Sequence, residues 1–246
     1  MKAEVVLSVP ESLSAKVLSC LASAIESAMS DDTVSAVVLR GTSSTFCRGL
    51  DLDELVGDAG DDHPLEAQPV LDYCRCLRAL RLSDKPAIAV VQGEALGGGI
   101  GLIAACDLVI AGENARFGLP EVLFGLAPAM VLPFLLERVS VRTARIWAMT
   151  ATARTAAEAK AAGLVDVLVS DEDIEKETRR QLKSMKRSVR QGLGTIKHLT
   201  SVVPSLDLAA ALELGQQSTL STLRDPVTIA AIRRYKNEGL LPWEAS

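Results

Sequence analysis

The chain has 246 residues with 48% hydrophobic side chains, enough apolar content for one sizeable core without disulfides or metal. A net charge of −5 excludes a global basic field for nucleic acid, and 3% aromatic residues disfavour base-stacking platforms. Five cysteines without a C-x-x-C pair, and two scattered histidines, argue for reduced thiols and against a metal cluster.

Glu4 to Val9 reads as a short strand, and Ser12 to Met29 as a helix with Leu13, Val17, Leu21 and Ile25 on one face. Val34 to Leu39, apolar apart from Ser35, reads as a fully buried strand, as in a parallel sheet. Thr42 to Arg48 reads as a loop and Leu50 to Val56 as a helical turn, before an acidic, glycine-bearing stretch, Gly57 to Pro64, expected to be mobile. A helix over Leu71–Leu82 ends ahead of Pro86. A second buried strand follows at Ala87–Gln92, then a helix at Ile100–Cys106 and a third strand at Leu108–Ala111. This alternation predicts α/β structure built from right-handed β–α–β units.

Beyond Pro128 the pattern turns helical: Pro133–Val139, Val141–Ala148 and Ala156–Ala162, the last stopped by Gly163. A short strand at Val165–Val169 precedes three long helices, Glu172–Leu193, Leu206–Leu223 and Pro226–Asn237. The chain therefore divides into an α/β core over 1–170 and a C-terminal helical region over 171–246, with a soft join near Ser170–Asp173. No run reaches the length of a membrane span, and the opening Met1-Lys2-Ala3-Glu4 lacks a signal peptide's apolar stretch, so a cytoplasmic protein without a membrane partner is expected.

Gly97, Gly98 and Gly99 stand between the second buried strand and the helix after it. A backbone without side chains at such a junction brings bare N–H groups close to a ligand, and the helix dipole favours negative charge there. That chemistry suits a thioester carbonyl and the enolate made from it.

Four segments then fall in register: Phe46-Cys47-Arg48-Gly49-Leu50-Asp51-Leu52; Gly93-Glu94-Ala95-Leu96-Gly97-Gly98-Gly99; Cys106-Asp107-Leu108-Val109-Ile110-Ala111; and Phe117-Gly118-Leu119-Pro120-Glu121-Val122 followed by Gly125-Leu126-Ala127-Pro128. Together they resemble the crotonase superfamily, the enoyl-CoA hydratase/isomerase group, closely over Val34–Val169 and more loosely beyond. The resemblance implies a crotonase-like spiral of ββα units, a C-terminal helical region for oligomerisation, and a homotrimer or dimer of trimers. It implies an acyl thioester substrate carried on coenzyme A or on the phosphopantetheine of an acyl carrier protein, with no permanently bound cofactor and no metal. Carried over, the oxyanion hole is the N–H groups of Leu50 and Gly98. Ser44, Cys47, Arg48, Gly49 and Gly97 then lie along the carrier.

Hydratases that this chain resembles have two glutamates. One matches Glu121, whereas the other matches Gly101, which holds no proton. Hydration needs water positioned and its protons shuttled, while moving a double bond needs one base that returns the proton as an acid. The pattern is thus closest to the single-glutamate enoyl-CoA isomerases, with Glu121 catalytic. Its apolar neighbours Leu119, Pro120, Val122 and Leu123 should strengthen it as a base. A hydratase, another thioester-enolate lyase or decarboxylase, and a non-catalytic acyl-CoA- or RNA-binding member are the alternatives.

Asp51 and Asp107 read as braces rather than catalysts. Tyr73, Cys74, Cys76 and His63 fall near the acyl pocket of the family. The basic run Arg179, Arg180, Lys183, Lys186, Arg187 and Arg190 reads as one solvated helix face, with RNA or an acidic carrier protein as the sharper alternative. Arg233, Arg234 and Lys236 are the weaker candidates for the phosphates of coenzyme A.

Overall fold

The computed structural model describes residues 3–51, 54 and 67–244. Strand β1 (Ala3–Ser8), helix α1 (Ala15–Ser30), β2 (Val34–Arg40), β3 (Thr45–Cys47) and α2 (Gln68–Leu82) come first. Then follow β4 (Ala87–Val91), β5 (Glu94–Leu96), α3 (Gly98–Ala105), β6 (Leu108–Gly112) and β7 (Arg116–Gly118). A 3-10 turn at Glu121–Phe124 leads to α4 (Leu132–Leu135), α5 (Val141–Thr150), β8 (Arg154–Thr155), α6 (Ala156–Ala162) and β9 (Val167–Val169). Helices α7 (Ile174–Lys186), α8 (Arg190–Val202), α9 (Leu208–Arg224) and α10 (Pro226–Glu238) complete the chain.

The strands form two sheets, ordered β1-β2-β4-β6-β9 and β3-β5-β7-β8. The first is parallel throughout, with Val38 opposite Ile88, Val90 opposite Ile110, and Ile110 opposite Val167. Each turn of chain lays one strand in the first sheet and one in the second: β2 then β3, β4 then β5, β6 then β7. In the first two turns a helix follows, so the fold is the ββα spiral.

Because side chains alternate along a strand, the first sheet feeds two cores. Val37, Leu39, Ala89, Val91 and Val109 point into the main core with α1, α2 and α3, whereas Ala36, Val38, Ile88, Val90 and Ile110 pack against Ile174 and Leu182 of α7. The first helix after residue 170 is thereby seated on the sheet. By contrast, α9 and α10 bury no residue within the described chain.

Three expectations change. The Thr42–Arg48 segment contains β3 rather than loop alone, and β5 and β7 extend the second sheet. The helix expected from Ser12 starts at Ala15, capped by Ser14, because Leu13 pairs with Leu50 instead. The single helix expected over 172–193 is two, broken where Val189 is extended and Arg190 bonds Asp32 and Asp84. The basic run is therefore not one free face: Arg180 pairs with Glu177 and Lys186 with Glu4. Cys20 is exposed on α1, while Cys106 is buried with its thiol pushed up to about 12 by desolvation. The Gly57–Pro64 stretch expected to be mobile, with His63, lies outside the described residues, as does most of the helical turn expected after Leu50.

Candidate active site

The site lies where the second sheet meets the start of α3. After β3, Arg48 N–H donates to Glu11 O (2.7 Å), Leu13 N–H to Gly49 O (2.8 Å) and Asp51 N–H to Leu13 O (3.3 Å). This bridge pairs Leu13 with Leu50. Successive amides of an extended chain point to opposite sides, so the Leu50 N–H faces away from Leu13. Gly49 makes the bend with φ +89°, and a Cβ there would lie 3.0 Å from Gly98 N and 3.2 Å from Leu96 O. The segment carrying Leu50 therefore lies against the segment carrying Gly98 with no room for a methyl group between them. Neither N–H meets an acceptor among the described residues.

Gly97 supplies the second bend, with φ +51°. Its N–H donates to Gly118 O (2.9 Å), tying the junction to β7. A Cβ on Gly99 would lie 2.5 Å from Cys47 O, so α3 starts with its backbone against β3. Each glycine of the triplet thus differs in what it does to the backbone: Gly97 turns it, Gly98 leaves an N–H without an acceptor among the described residues, and Gly99 lets it approach β3.

Glu121 enters from the turn after β7, which Gly125 closes in the left-handed conformation. Its Oε1 would be 3.3 Å from a Cβ on Gly97, so the carboxyl lies over the glycine bend. Its Oε2 is buried with no hydrogen-bond partner among the described residues. Burial pushes this carboxyl above its ordinary 4.5, opposed in part by its own main-chain N–H. The cause differs from the expected one. Leu119 is buried, but Val122 and Leu123 are exposed to solvent, so the shielding comes from the glycine bend and the interior rather than from those two side chains.

The residues expected along the carrier take varied places. Ser44 is exposed in a turn with its carbonyl bonded by Glu94 N–H (3.2 Å). Cys47 is fully buried and its thiol is pushed up to about 11 by desolvation, so it presents no reactive sulfur. The Arg48 guanidinium is held by Glu11 (2.7 Å) and Glu94 (2.9 Å). Asp51 accepts from Ser12 Oγ (3.1 Å), and Asp107 accepts from Ala87 N–H (2.7 Å) and Lys197 Nζ (2.8 Å); both brace the backbone.

Tyr73 of α2 reaches the same place: its hydroxyl donates to Gly98 O at 2.6 Å. Burial, then the neighbouring Cys47, Cys76 and Glu121, push its phenol well above 10.0, so it stays a neutral donor. Cys76 is buried on the same helix while Cys74 is half-buried, and the thiols are not paired. The contribution of Glu11 and Leu13, which brace the Leu50 bend, had no local signal in the sequence. Among the described residues no group of ligands could hold a metal ion, and no helix is long and apolar enough to cross a membrane.

The profile of the enoyl-CoA hydratase/isomerase family matches residues 3–245. The chain is 31% identical over 218 residues to the bacillaene synthase dehydratase PksH of Bacillus subtilis (strain 168), covering 86% of this chain and 80% of that one. It is 32% identical over 222 residues to the 2,3-dehydroadipyl-CoA hydratase of Escherichia coli (strain K12), covering 89% and 82%. Among solved structures, Pseudomonas aeruginosa AtuE superposes with a TM-score of 0.91 at 24% identity, over 99% of this chain and 97% of that one.

Proposed function

The chain belongs to the enoyl-CoA hydratase/isomerase family, and on that premise we propose that it is an enoyl-thioester isomerase with Glu121 as its single acid–base group. The carrying observation is the buried Glu121 Oε2 beside the glycine bend, which has no hydrogen-bond partner among the described residues. A buried carboxylate short of donors is a stronger base than one in water, and nearer in pKa to a neutral working pH.

The substrate is an acyl thioester on coenzyme A or on a carrier protein's phosphopantetheine. Its carbonyl oxygen sits between the Leu50 and Gly98 N–H groups. Glu121 takes the proton from C2 of a 3-enoyl chain, and the electron pair moves into a dienolate whose oxygen those two amides hold. The same group, now a carboxylic acid, returns the proton at C4, and the double bond reforms between C2 and C3. Loss of one such donor typically costs about 10²–10³ in rate. Position 101 supplies no second acid–base group, which supports isomerisation over hydration. Self-association through α9 and α10 belongs to the same proposal. These helices leave Leu208, Leu212, Leu223 and Ile232 exposed.

The 31% identity with the bacillaene synthase dehydratase PksH favours a second reading, removal of water from a 3-hydroxyacyl thioester through the same enolate. Incubation with 3-enoyl and 2-enoyl thioesters in heavy water separates the two. Deuterium at C2 or C4 without added oxygen is the expected result. Accumulation of a 3-hydroxy product from the 2-enoyl substrate, without bond migration, replaces the isomerase reading with the second one.

A further inference from the structure

Gly101 lies one turn into α3, on the helix that begins with the oxyanion donor. A Cβ built there would sit 2.0 Å from the Tyr73 hydroxyl oxygen, 3.2 Å from its Cζ and 3.2 Å from Val131 Cγ2. No side chain fits at that position while the phenol is in place. The phenol is itself fixed. Tyr73 is 5% exposed and shares a helix face with the buried Cys76, Leu77 and Leu80. Its hydroxyl is spent on Gly98 O (2.6 Å).

We propose that Tyr73 is a positioning and specificity-determining residue of this site. Its hydroxyl pins the middle glycine of the donor loop, and its ring fills the volume that a second acid–base side chain at position 101 would take, with the water such a group would hold. The inference rests on the enolate reading for its catalytic half and on packing alone for its steric half.

Three consecutive glycines have a soft backbone, and a donor that must reorder during the reaction stabilises the oxyanion less than one already in place. Gly98 meets two side chains that limit that softness: a Cβ there would lie 3.2 Å from Leu13 Cδ1 and 3.5 Å from both Cζ and the hydroxyl oxygen of Tyr73. Leu13 is also the residue that bridges Leu50, and Tyr73 adds the hydrogen bond. One pair of contacts thus steadies both proposed donors. Removing the hydroxyl keeps the ring but frees Gly98, so the transition state should weaken more than substrate binding does.

The test has a chemical arm and a thermal arm. Exchange of the C2 proton of a 3-enoyl-CoA in heavy water reports enolate formation whatever the final product. Tyr73→Phe is expected to slow exchange about tenfold or more with KM held within about threefold. Equal exchange rates in Tyr73→Phe and wild type overturn the positioning role. No exchange by wild type would sink the enolate reading and the catalytic half with it. The thermal arm then decides the rest without any substrate. Gly101→Ala should lower the melting temperature by about 3–10 °C through overpacking. The Tyr73→Phe/Gly101→Ala double variant should melt above Gly101→Ala, because the clashing oxygen is gone. Additive losses, or a Gly101→Ala protein as stable as wild type, overturn the steric half.

Discussion

At the C-terminal end of α3, Asp107 accepts from the Ala87 N–H and from Lys197, which also bonds the carbonyls of Leu80 and Lys85 at 2.9 Å each. At the N-terminal end, Glu121 lies over Gly97 with one oxygen buried and unpartnered. Both carboxylates flank the same helix, and both are partly withdrawn from water. The first has its donors supplied and ties α2, β4 and α8 together. The second is left short of donors, so ionising it is costly and a proton is easily taken up. The contrast separates a carboxylate that holds the fold from the one proposed as the acid–base group.

Exchanging each acid for its amide tests that contrast most directly. Glu121→Gln should lower turnover by about 10²–10⁴, the usual worth of a general acid–base group, with a melting temperature at neutral pH no lower than wild type. Asp107→Asn should do the reverse, costing stability while turnover per folded molecule holds. Thermal melts read beside turnover check both, and a Glu121→Gln enzyme of wild-type rate would falsify the assignment.

Lys197→Met sharpens the structural half. It removes the cation from Asp107 and from the Leu80 and Lys85 carbonyls in one step. The expected cost is ~3 kcal/mol in denaturant unfolding, the lower end for breaking a buried pair, because the Asp107 side chain is 22% exposed. A loss well under 1 kcal/mol would show that α8 is not anchored by this clamp.

The smallest expected effects are in pH. Because burial raises the Glu121 pKa above 4.5, the acid limb of kcat/KM should fall above that value rather than below it. The sign for stability follows from proton binding: a raised carboxyl pKa means the folded state holds the proton more tightly. Its contribution therefore falls as pH rises from the unfolded towards the folded pKa, and the deficit persists above it. Any gain in melting temperature of Glu121→Gln over wild type should thus be largest at neutral pH and shrink as the buffer is acidified. An acid limb at the ordinary glutamate value would remove the desolvation argument.

The apolar-rich strands at Val34–Arg40, Ala87–Val91 and Leu108–Gly112 were readable because strands buried on both faces leave mainly hydrophobic sequence without polar alternation. Strands β3, β5 and β7 were not, since three residues carry no period, and β5 and β7 include or adjoin the motifs that dominate their composition. The helix break near Val189 was hidden because amphipathic patterning continues on both sides of it. Its cause is distant, Arg190 bonding Asp32 and Asp84. At the site, the glycine triplet, the Gly49-Leu50 pair and Glu121 were legible as residue types at fixed spacing. Tyr73 was legible as one of four residues near the acyl pocket of the family, but its bond to Gly98 was not.

The sequence alone determined which backbone positions lack a Cβ and that a glutamate follows the Phe117-Gly118-Leu119-Pro120 motif. A glycine records only that nothing fits there or that an unusual turn is needed; it does not say what fills the space. Only the tertiary structure decided that α2 brings a phenol opposite Gly101, that Leu13 braces Leu50, and that Glu121 keeps one oxygen without a donor. Those facts depend on contacts between segments far apart in the chain, which packing fixes and local pattern does not encode.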